Sequence, residues 1–140
     1  MSKKKFSLIL LCVILLVGIL SSCRKDEVEA VEVKVDVKFV YKGTVLGEYD
    51  NILVVAEDGK PTIINAVERA CDVLQLDYEL TEDKLSLYKL DEYAETDTGI
   101  WLWKINGVEP DDDAGKAGDY IIKDGDKIEY YFEELEVTTE

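Results

Sequence analysis

Apolar and polar residues alternate along the segment "VEVKVDVKFVYK", which runs from Val31 to Lys42. Valines and aromatic residues occupy every second position, and charged side chains occupy most of the positions between them. A period of two predicts a strand with one buried and one solvated face. The polar stretch "YKGTVLGEYDN", residues 41–51, contains two glycines and predicts a turn region. The apolar run "ILVVAE", residues 52–57, then predicts a second strand that pairs with the first.

The period changes in "TIINAVERACDVLQL", where apolar side chains recur at the spacing of one helix face: Ile63, Val67, Ala70 and Leu74. This pattern predicts an amphipathic helix. Thr62 stands immediately before it and is the residue type expected at an N-cap. Cys71 belongs to the apolar stripe.

After the helix the pattern returns to short strands. The segments "YEL" and "KLSLYKL" predict one or two strands joined by acidic turns, and "GIWLWKI" predicts a strand that ends in an Asn-Gly turn. "DYIIKDGDKIEYYFEELEV" predicts two strand-like runs around a tight Asp-Gly turn. One helix packed across one face of a mixed sheet accommodates these elements economically. The predicted fold class is therefore α+β, of the β-grasp kind, over residues 31–137.

The two tryptophans of the chain lie in one predicted strand. Trp101, Trp103 and Ile105 point to one of its faces, while Leu102, Lys104 and Asn106 point to the other. A single helix leaves much of the sheet to be sealed by large side chains, so the tryptophans are predicted to belong to the core. Ligand stacking is the alternative if one of them proves exposed.

Residues 1–22 combine a basic start, "MSKKKF", with the apolar run "SLILLCVILLVGIL", as in an export signal peptide. The run is shorter than the roughly 18 apolar residues of a membrane-spanning helix. The motif "LSSC", ending at Cys23, resembles the lipobox of bacterial lipoproteins, in which the cysteine receives a diacylglyceryl group after export. The resemblance implies lipidation of Cys23 and anchoring at the extracytoplasmic face of the cell membrane. Residues 23–30 form a short charged tether.

Signal removal and lipidation leave Cys71 as the last free thiol, because Cys12 leaves with the signal and Cys23 is acylated. No internal disulfide can then form. A lone thiol in an exported protein is either buried or reactive. The apolar stripe around Cys71 favours burial.

Acidic residues dominate the chain, with 31 Asp and Glu against 16 Lys and Arg and a net charge of −15. Removal of the signal, which holds three lysines and no acid, leaves 13 basic residues and a net charge of −18. Such a field repels nucleic acid and anionic lipid headgroups. No nucleic-acid partner is expected.

The side-chain inventory argues against enzymatic chemistry. The chain has no histidine, and Ser86 is the one serine after the signal. A Ser-His-Asp triad, a Cys-His pair and a Cys/His zinc site therefore cannot be assembled. Carboxylate pairs suited to glycoside hydrolysis occur by chance in so acidic a chain. We expect no catalytic residues, no cofactor and no metal site.

The acidic segment "EPDDDAGKAGD" partly matches a calcium-binding loop. Asp111 and Asp113 suit the first two ligand positions, but Gly115 stands where a third side-chain ligand is expected. The segment is predicted to be a solvated acidic turn, with weak calcium binding as the alternative.

The segment "WLWKINGVEPDDDAGKAGDYIIKDGDKIEYYF" resembles the C-terminal domain of the vitamin B12 carriers transcobalamin and intrinsic factor, and the bacterial domain family named after it. The similar features are the strand with Trp101 and Trp103, the glycine-containing loop that leads to Tyr120, and the "DGD" turn. The resemblance implies a β-grasp-like fold and a binding role, with the hairpin 107–120 facing a ligand such as a corrinoid. It makes four residues candidates for ligand binding: Trp101, Trp103, Asp112 and Tyr120.

These observations predict a surface-anchored bacterial lipoprotein that carries a non-enzymatic ligand- or protein-binding module. The alternative is a structural or docking component of the cell envelope without a small-molecule ligand. Converging exposed aromatic residues would favour the small ligand. An exposed sheet edge would favour a protein partner.

Overall fold

The computed structural model describes residues 26–136. The predicted signal peptide and the predicted lipidation site at Cys23 lie outside these residues. Residues 26–30 are exposed and have no regular structure. Within the described residues, no helix is both long enough and apolar enough to cross a membrane.

Seven strands and one α-helix make up the described part of the chain. The strands are β1 (Val31–Tyr41), β2 (Thr44–Ala56), β3 (Tyr78–Leu80), β4 (Leu87–Leu90), β5 (Tyr93–Ala94), β6 (Gly99–Ile105) and β7 (Lys127–Glu134). The helix α1 spans Ile63–Leu74, and a short 3-10 helix spans Asp112–Ala114.

The larger sheet has the strand order β2-β1-β7-β6, and the smaller one has the order β3-β4-β5. β1 and β7 run parallel in the centre of the larger sheet, whereas β2 and β6 are antiparallel to their neighbours. Helix α1 packs on the inner face, mainly against β2. The prediction of an α+β fold with a mixed sheet and one packed helix is confirmed.

Helix α1 begins as predicted, because Thr62 and Asn65 form a capping box. The Asn65 amide donates to the Thr62 hydroxyl at 3.3 Å, and the Thr62 amide donates to Asn65 Oδ1 at 2.9 Å. These bonds satisfy two backbone donors that a helix start leaves free. The buried side of the helix faces the sheet and includes Cys71, whose predicted burial is confirmed.

The turn predicted for residues 41–51 is wrong, because β2 already begins at Thr44. The turn consists of Lys42 and Gly43 alone, with φ angles of 46° and 80°. Two successive positive φ angles are the geometry of a tight two-residue hairpin. Register irregularities opposite the first half of β2 interrupt its alternation. A polar, glycine-containing sequence therefore continues as a strand.

The run 120–123 also departs from the prediction of a strand. It makes one isolated bridge, between Thr62 and Ile121. The Ile63 amide donates to the Tyr120 carbonyl at 3.2 Å, and the Ile122 amide donates to the Pro61 carbonyl at 2.9 Å. The start of α1 thus holds this segment and prevents it from joining the larger sheet.

Candidate binding surfaces

Both tryptophans of β6 lie in the core. Trp101 is 4% exposed and Trp103 is 8% exposed. The Trp101 indole nitrogen donates to the Tyr93 carbonyl at 2.9 Å, which satisfies its one polar group. The core assignment from alternation is confirmed, and neither indole presents an open face for stacking with a ligand.

Aromatic rings fill the end of the core around Trp101. Tyr41 stacks on Tyr93 with 3.9 Å between ring centroids, and Phe132 meets Trp101 edge-on at 5.4 Å. A Cβ atom at Gly99 would lie 2.4 Å from the Phe132 ring, so only glycine fits beside it. The rings thus contact one another at this end of the core.

Tyr120 connects the loop after β6 to the core, because its ring meets Trp103 at 5.2 Å in an edge-to-face arrangement. The predicted site residues thus separate into two groups. Trp101, Trp103 and Tyr120 belong to the packed interior or its margin, whereas Asp112 is exposed in the 3-10 helix. The Asp112 carboxylate makes no hydrogen bond or salt bridge to another residue of the range 26–136.

The loop between β6 and β7 is fixed to the connection between β3 and β4. The Gly118 amide donates to the Leu85 carbonyl at 2.8 Å, and Lys116 forms a salt bridge with Asp83. The pKa of the Asp83 carboxyl lies below its usual range, mainly because Lys116 donates a hydrogen bond to it. Hydrogen bonds from the Thr81 hydroxyl and the Leu85 amide lower this pKa further. Among residues 26–136, no cluster of three or more His, Cys, Asp or Glu side chains is arranged to hold a metal ion.

The outer face of the larger sheet, opposite α1, carries a row of alternating charge across all four strands. Glu48 of β2 is the register partner of Lys38, Lys38 is opposite Glu129, and Glu129 is opposite Lys104 of β6. The Lys104 ammonium lies 3.2 Å from the Glu129 carboxylate. The row is one side of a groove of about 440 Å³, here called the outer-face groove. The groove is lined by Asp36, Val37, Lys38, Glu48, Asp50, Lys104, Gly107, Lys127, Ile128 and Glu129.

Tyr131 lies beside this row and has a strongly perturbed hydroxyl. Its ring centroid is 4.8 Å from the Lys104 ammonium, and its hydroxyl donates to Glu109 Oε1 at 3.0 Å. Desolvation and then the hydrogen bond to Glu109 raise the pKa of Tyr131 to about 12. The hydroxyl therefore remains a neutral hydrogen-bond donor at every physiological pH.

The sequence did not identify the outer-face groove as a candidate site, although it assigned Lys104 to the solvated face of β6. The available signal was the polar positions of the β1 and β6 alternation. Residues that are distant in sequence, such as Glu48 and Glu129, become neighbours only through the strand order.

No protein-family model matches the chain, and no curated protein matches it in sequence. The fold is similar to that of a crystal structure described as a "putative metal binding protein" from Ruminococcus gnavus, with a TM-score of 0.51 and 20% sequence identity. The match covers 74% of this chain and 99% of that one. At this identity the similarity concerns the fold alone, and it agrees with the α+β architecture.

Proposed function

We propose that this protein is a bacterial lipoprotein, anchored through Cys23 at the extracytoplasmic face of the membrane, that carries a non-enzymatic binding module. One observation supports the binding role above the others. The outer face of the larger sheet is uncovered in the described structure and holds a groove lined by side chains of both charges. The thiol and the indoles, by contrast, are buried.

A small polar ligand in the outer-face groove is the first form of this proposal. Gly107 lines the groove and is also the first residue of the hairpin that the transcobalamin-like resemblance turns toward a ligand. The resemblance supplies a corrinoid as the ligand class to test. Lysines and carboxylates at the groove offer donors and acceptors for polar groups on such a molecule.

Anchoring is tested on the full chain in a bacterial host that processes lipoproteins. We expect the wild-type protein to incorporate a labelled fatty acid and to sediment with membranes. The Cys23→Ala variant should lose the label and either leave the membrane fraction or accumulate as precursor. Cys12→Ala is the matched control and should behave as the wild type. Lipid labelling of Cys23→Ala would refute the anchor.

Ligand binding is tested by calorimetric titration of the purified chain with cyanocobalamin and, separately, with calcium. Calcium is included because Asp111 and Asp113 lie in the acidic loop and because the Ruminococcus gnavus structure is described as that of a "putative metal binding protein". If a corrinoid occupies the groove, Lys104→Gln should weaken binding. Lys123→Gln, an exposed substitution outside the groove, should leave it unchanged. Equal affinity in both variants would exclude the groove.

A second candidate function is docking to another surface protein without any small ligand. The exposed edge of β2 favours it, because an exposed sheet edge is a surface to which an extended segment of another protein can pair. Absence of any saturable small-molecule signal, together with retained membrane anchoring, would favour this candidate over the first.

A further inference from the structure

The last part of β2, residues 52–56, is an open sheet edge. β2 is the outermost strand of the larger sheet, so one side of its backbone has no strand partner. Leu53 and Val55 also expose 40% and 50% of their side chains. An apolar stretch on an unpaired edge is a template for pairing with an extended chain.

The direction of the free backbone groups follows from the pairing of β1. Asp36 donates its amide to Asp126 at the start of β7, and the Gly125 amide donates to the Lys34 carbonyl. Lys34 and Asp36 therefore direct their backbone groups toward β7, and Val35 between them directs its groups toward β2. Lys34 is opposite Leu53, so the amide and carbonyl of Leu53 point away from β1.

The same alternation applies to Val55, which is opposite Glu32. Leu53 and Val55 together present two amides and two carbonyls to the open side. No intramolecular hydrogen bond to these four groups is found within residues 26–136.

A groove of about 340 Å³ runs along this edge, between β2 and α1. Residues 53–55 form one wall, and four residues on three successive turns of the helix form the other: Asn65, Glu68, Arg69 and Asp72. Their spacing places them on one helix face. An extended chain lying against β2 would therefore contact polar side chains of α1 on its other side.

The opposite edge of the sheet is partly bonded by loops of the chain itself. On β6, the Trp101 amide donates to Glu95 Oε1 at 3.1 Å, and the Gly99 carbonyl accepts from the Thr96 amide at 2.9 Å. The Ile105 amide donates to the Val108 carbonyl at 2.9 Å. Loops thus bond backbone groups of Gly99, Trp101 and Ile105 on the edge of β6, whereas Leu53 and Val55 on the edge of β2 have no such partners among the described residues.

We propose that residues 52–56 dock an extended, cationic segment of a partner protein, which adds to the larger sheet as a fifth strand beside β2. This inference rests on the second proposed function, docking to a protein. It does not involve the outer-face groove or the lipid anchor, so it can fail while those proposals hold.

The charge of the surroundings selects a cationic segment. The helix wall carries two carboxylates, Glu68 and Asp72, against one cation, Arg69. Neither carboxylate takes part in a salt bridge within the described range. Glu57 and Asp58 lie exposed directly after β2. Lysine or arginine side chains on the added strand would meet these carboxylates.

A second copy of the chain is a poorer occupant. Antiparallel pairing of two β2 edges around Val54 would bring Asp50 of one copy close to Glu57 and Asp58 of the other. Like charges facing each other across strands destabilise the pairing. The net charge of −15 per chain adds repulsion between the two copies.

The test uses the purified full chain in detergent and a fluorescent peptide of alternating valine and lysine. We expect saturable binding, which is lost when glutamate replaces lysine in the peptide. Leu53→Pro should weaken binding by about tenfold, because proline removes one edge amide without breaking the ladder to β1. Leu53→Ala keeps the amide and is the matched control.

Asp72→Asn should weaken binding by about two- to fivefold, as expected for one exposed charge pair.

Amide hydrogen exchange supplies a readout that does not depend on the folding of the proline variant. In the wild type, the lysine peptide should protect the Leu53 and Val55 amides and leave β6 unchanged. Protection confined to the outer-face groove, or equal binding of the glutamate peptide, would overturn the proposal. The proposal would also be overturned if the protein sedimented as a dimer in which the Leu53 and Val55 amides were protected from exchange. The edge would then be occupied by a second copy of the chain.

Discussion

At the scale of single residues, burial determines the behaviour of the side chains that could have carried chemistry. Tyr130 is 1% exposed, and among residues 26–136 its hydroxyl is the one buried side-chain polar atom that has no hydrogen-bond partner. Burial raises the pKa of Tyr130. The Leu87 backbone lies near the hydroxyl and offsets part of this effect, but it does not form a hydrogen bond of normal geometry with it. An unpaired hydroxyl in the core costs free energy that an aromatic ring alone would not.

Tyr130→Phe is therefore expected to raise the free energy of unfolding by about 1 kcal/mol, because the substitution removes an unsatisfied group and keeps the ring. Urea unfolding measures the change. Tyr131→Phe is the control, since it removes a hydroxyl that is hydrogen-bonded to Glu109 and should give no gain. A clear loss of stability in Tyr130→Phe would mean that the hydroxyl has a partner, such as a bound water.

Cys71 is fully buried, and desolvation raises its pKa from 9.0 to about 12. The thiolate is the nucleophile, so the folded protein should react slowly with a disulfide reagent at pH 8, and denatured protein should react fast. The chain with Cys12→Ser and Cys23→Ala leaves this thiol alone for the measurement. Equal rates in both states would contradict the burial.

The raised pKa of Cys71 also has a consequence for stability. The fold favours the neutral thiol, so its contribution is complete below pH 9 and is lost as the pH rises from 9 toward 12. When the pH is raised from 9 toward 12, the free energy of unfolding of Cys71→Ala should therefore fall by less than that of the parent protein.

At the scale of secondary-structure elements, the sequence predicts those whose pattern is continuous. The valine alternation of β1, the apolar stripe of α1 and the tryptophan alternation of β6 all appear in the structure as predicted. The first half of β2 was missed because its register is irregular and its residues are mostly exposed. The apolar content of residues 120–123 predicts a strand, because it does not reveal that the start of α1 binds this segment.

The candidate sites were less predictable than the fold, for a related reason. The period of two correctly assigns Trp103 to the core and Lys104 to the solvated face. It contains no information on strand order, and strand order creates both the outer-face groove and the open edge of β2. The hydrogen bonds that loops make to part of the β6 edge likewise depend on loop positions that the sequence pattern does not encode.

Strand β6 and the loop after it should respond differently to substitution. Trp103→Ala is expected to cost roughly 3–5 kcal/mol, because it leaves a large cavity beside Tyr120. Asp112→Ala should change stability by about 0.5 kcal/mol or less, because the carboxylate is exposed and unpaired among the described residues. Thermal and urea unfolding measure both effects. A stable Trp103→Ala protein that no longer bound a ligand would instead make the strand part of the binding site.

At the scale of the whole molecule, charge is the dominant feature. The chain has 31 acidic residues, and four salt bridges are found within residues 26–136. Most carboxylates therefore repel one another without a paired cation. Repulsion of this kind keeps a protein soluble and destabilises its compact state. It also disfavours self-association, and it gives any cationic partner a faster approach at low ionic strength.

Salt should consequently stabilise this protein. The screening length falls from about 30 Å at 0.01 M to about 10 Å at 0.1 M ionic strength, so repulsion between separated carboxylates weakens over that range. We expect sodium chloride to raise the melting temperature by about 4 °C, equivalent to about 1 kcal/mol for a domain of this size. A variant in which asparagine replaces Asp111, Asp112 and Asp113 separates screening from other effects of salt. It should be more stable than the parent at low salt, and the two should converge as salt is added. A constant difference at all salt concentrations would show that repulsion is not the source of the salt effect, since salt that merely strengthens apolar burial acts on both proteins equally.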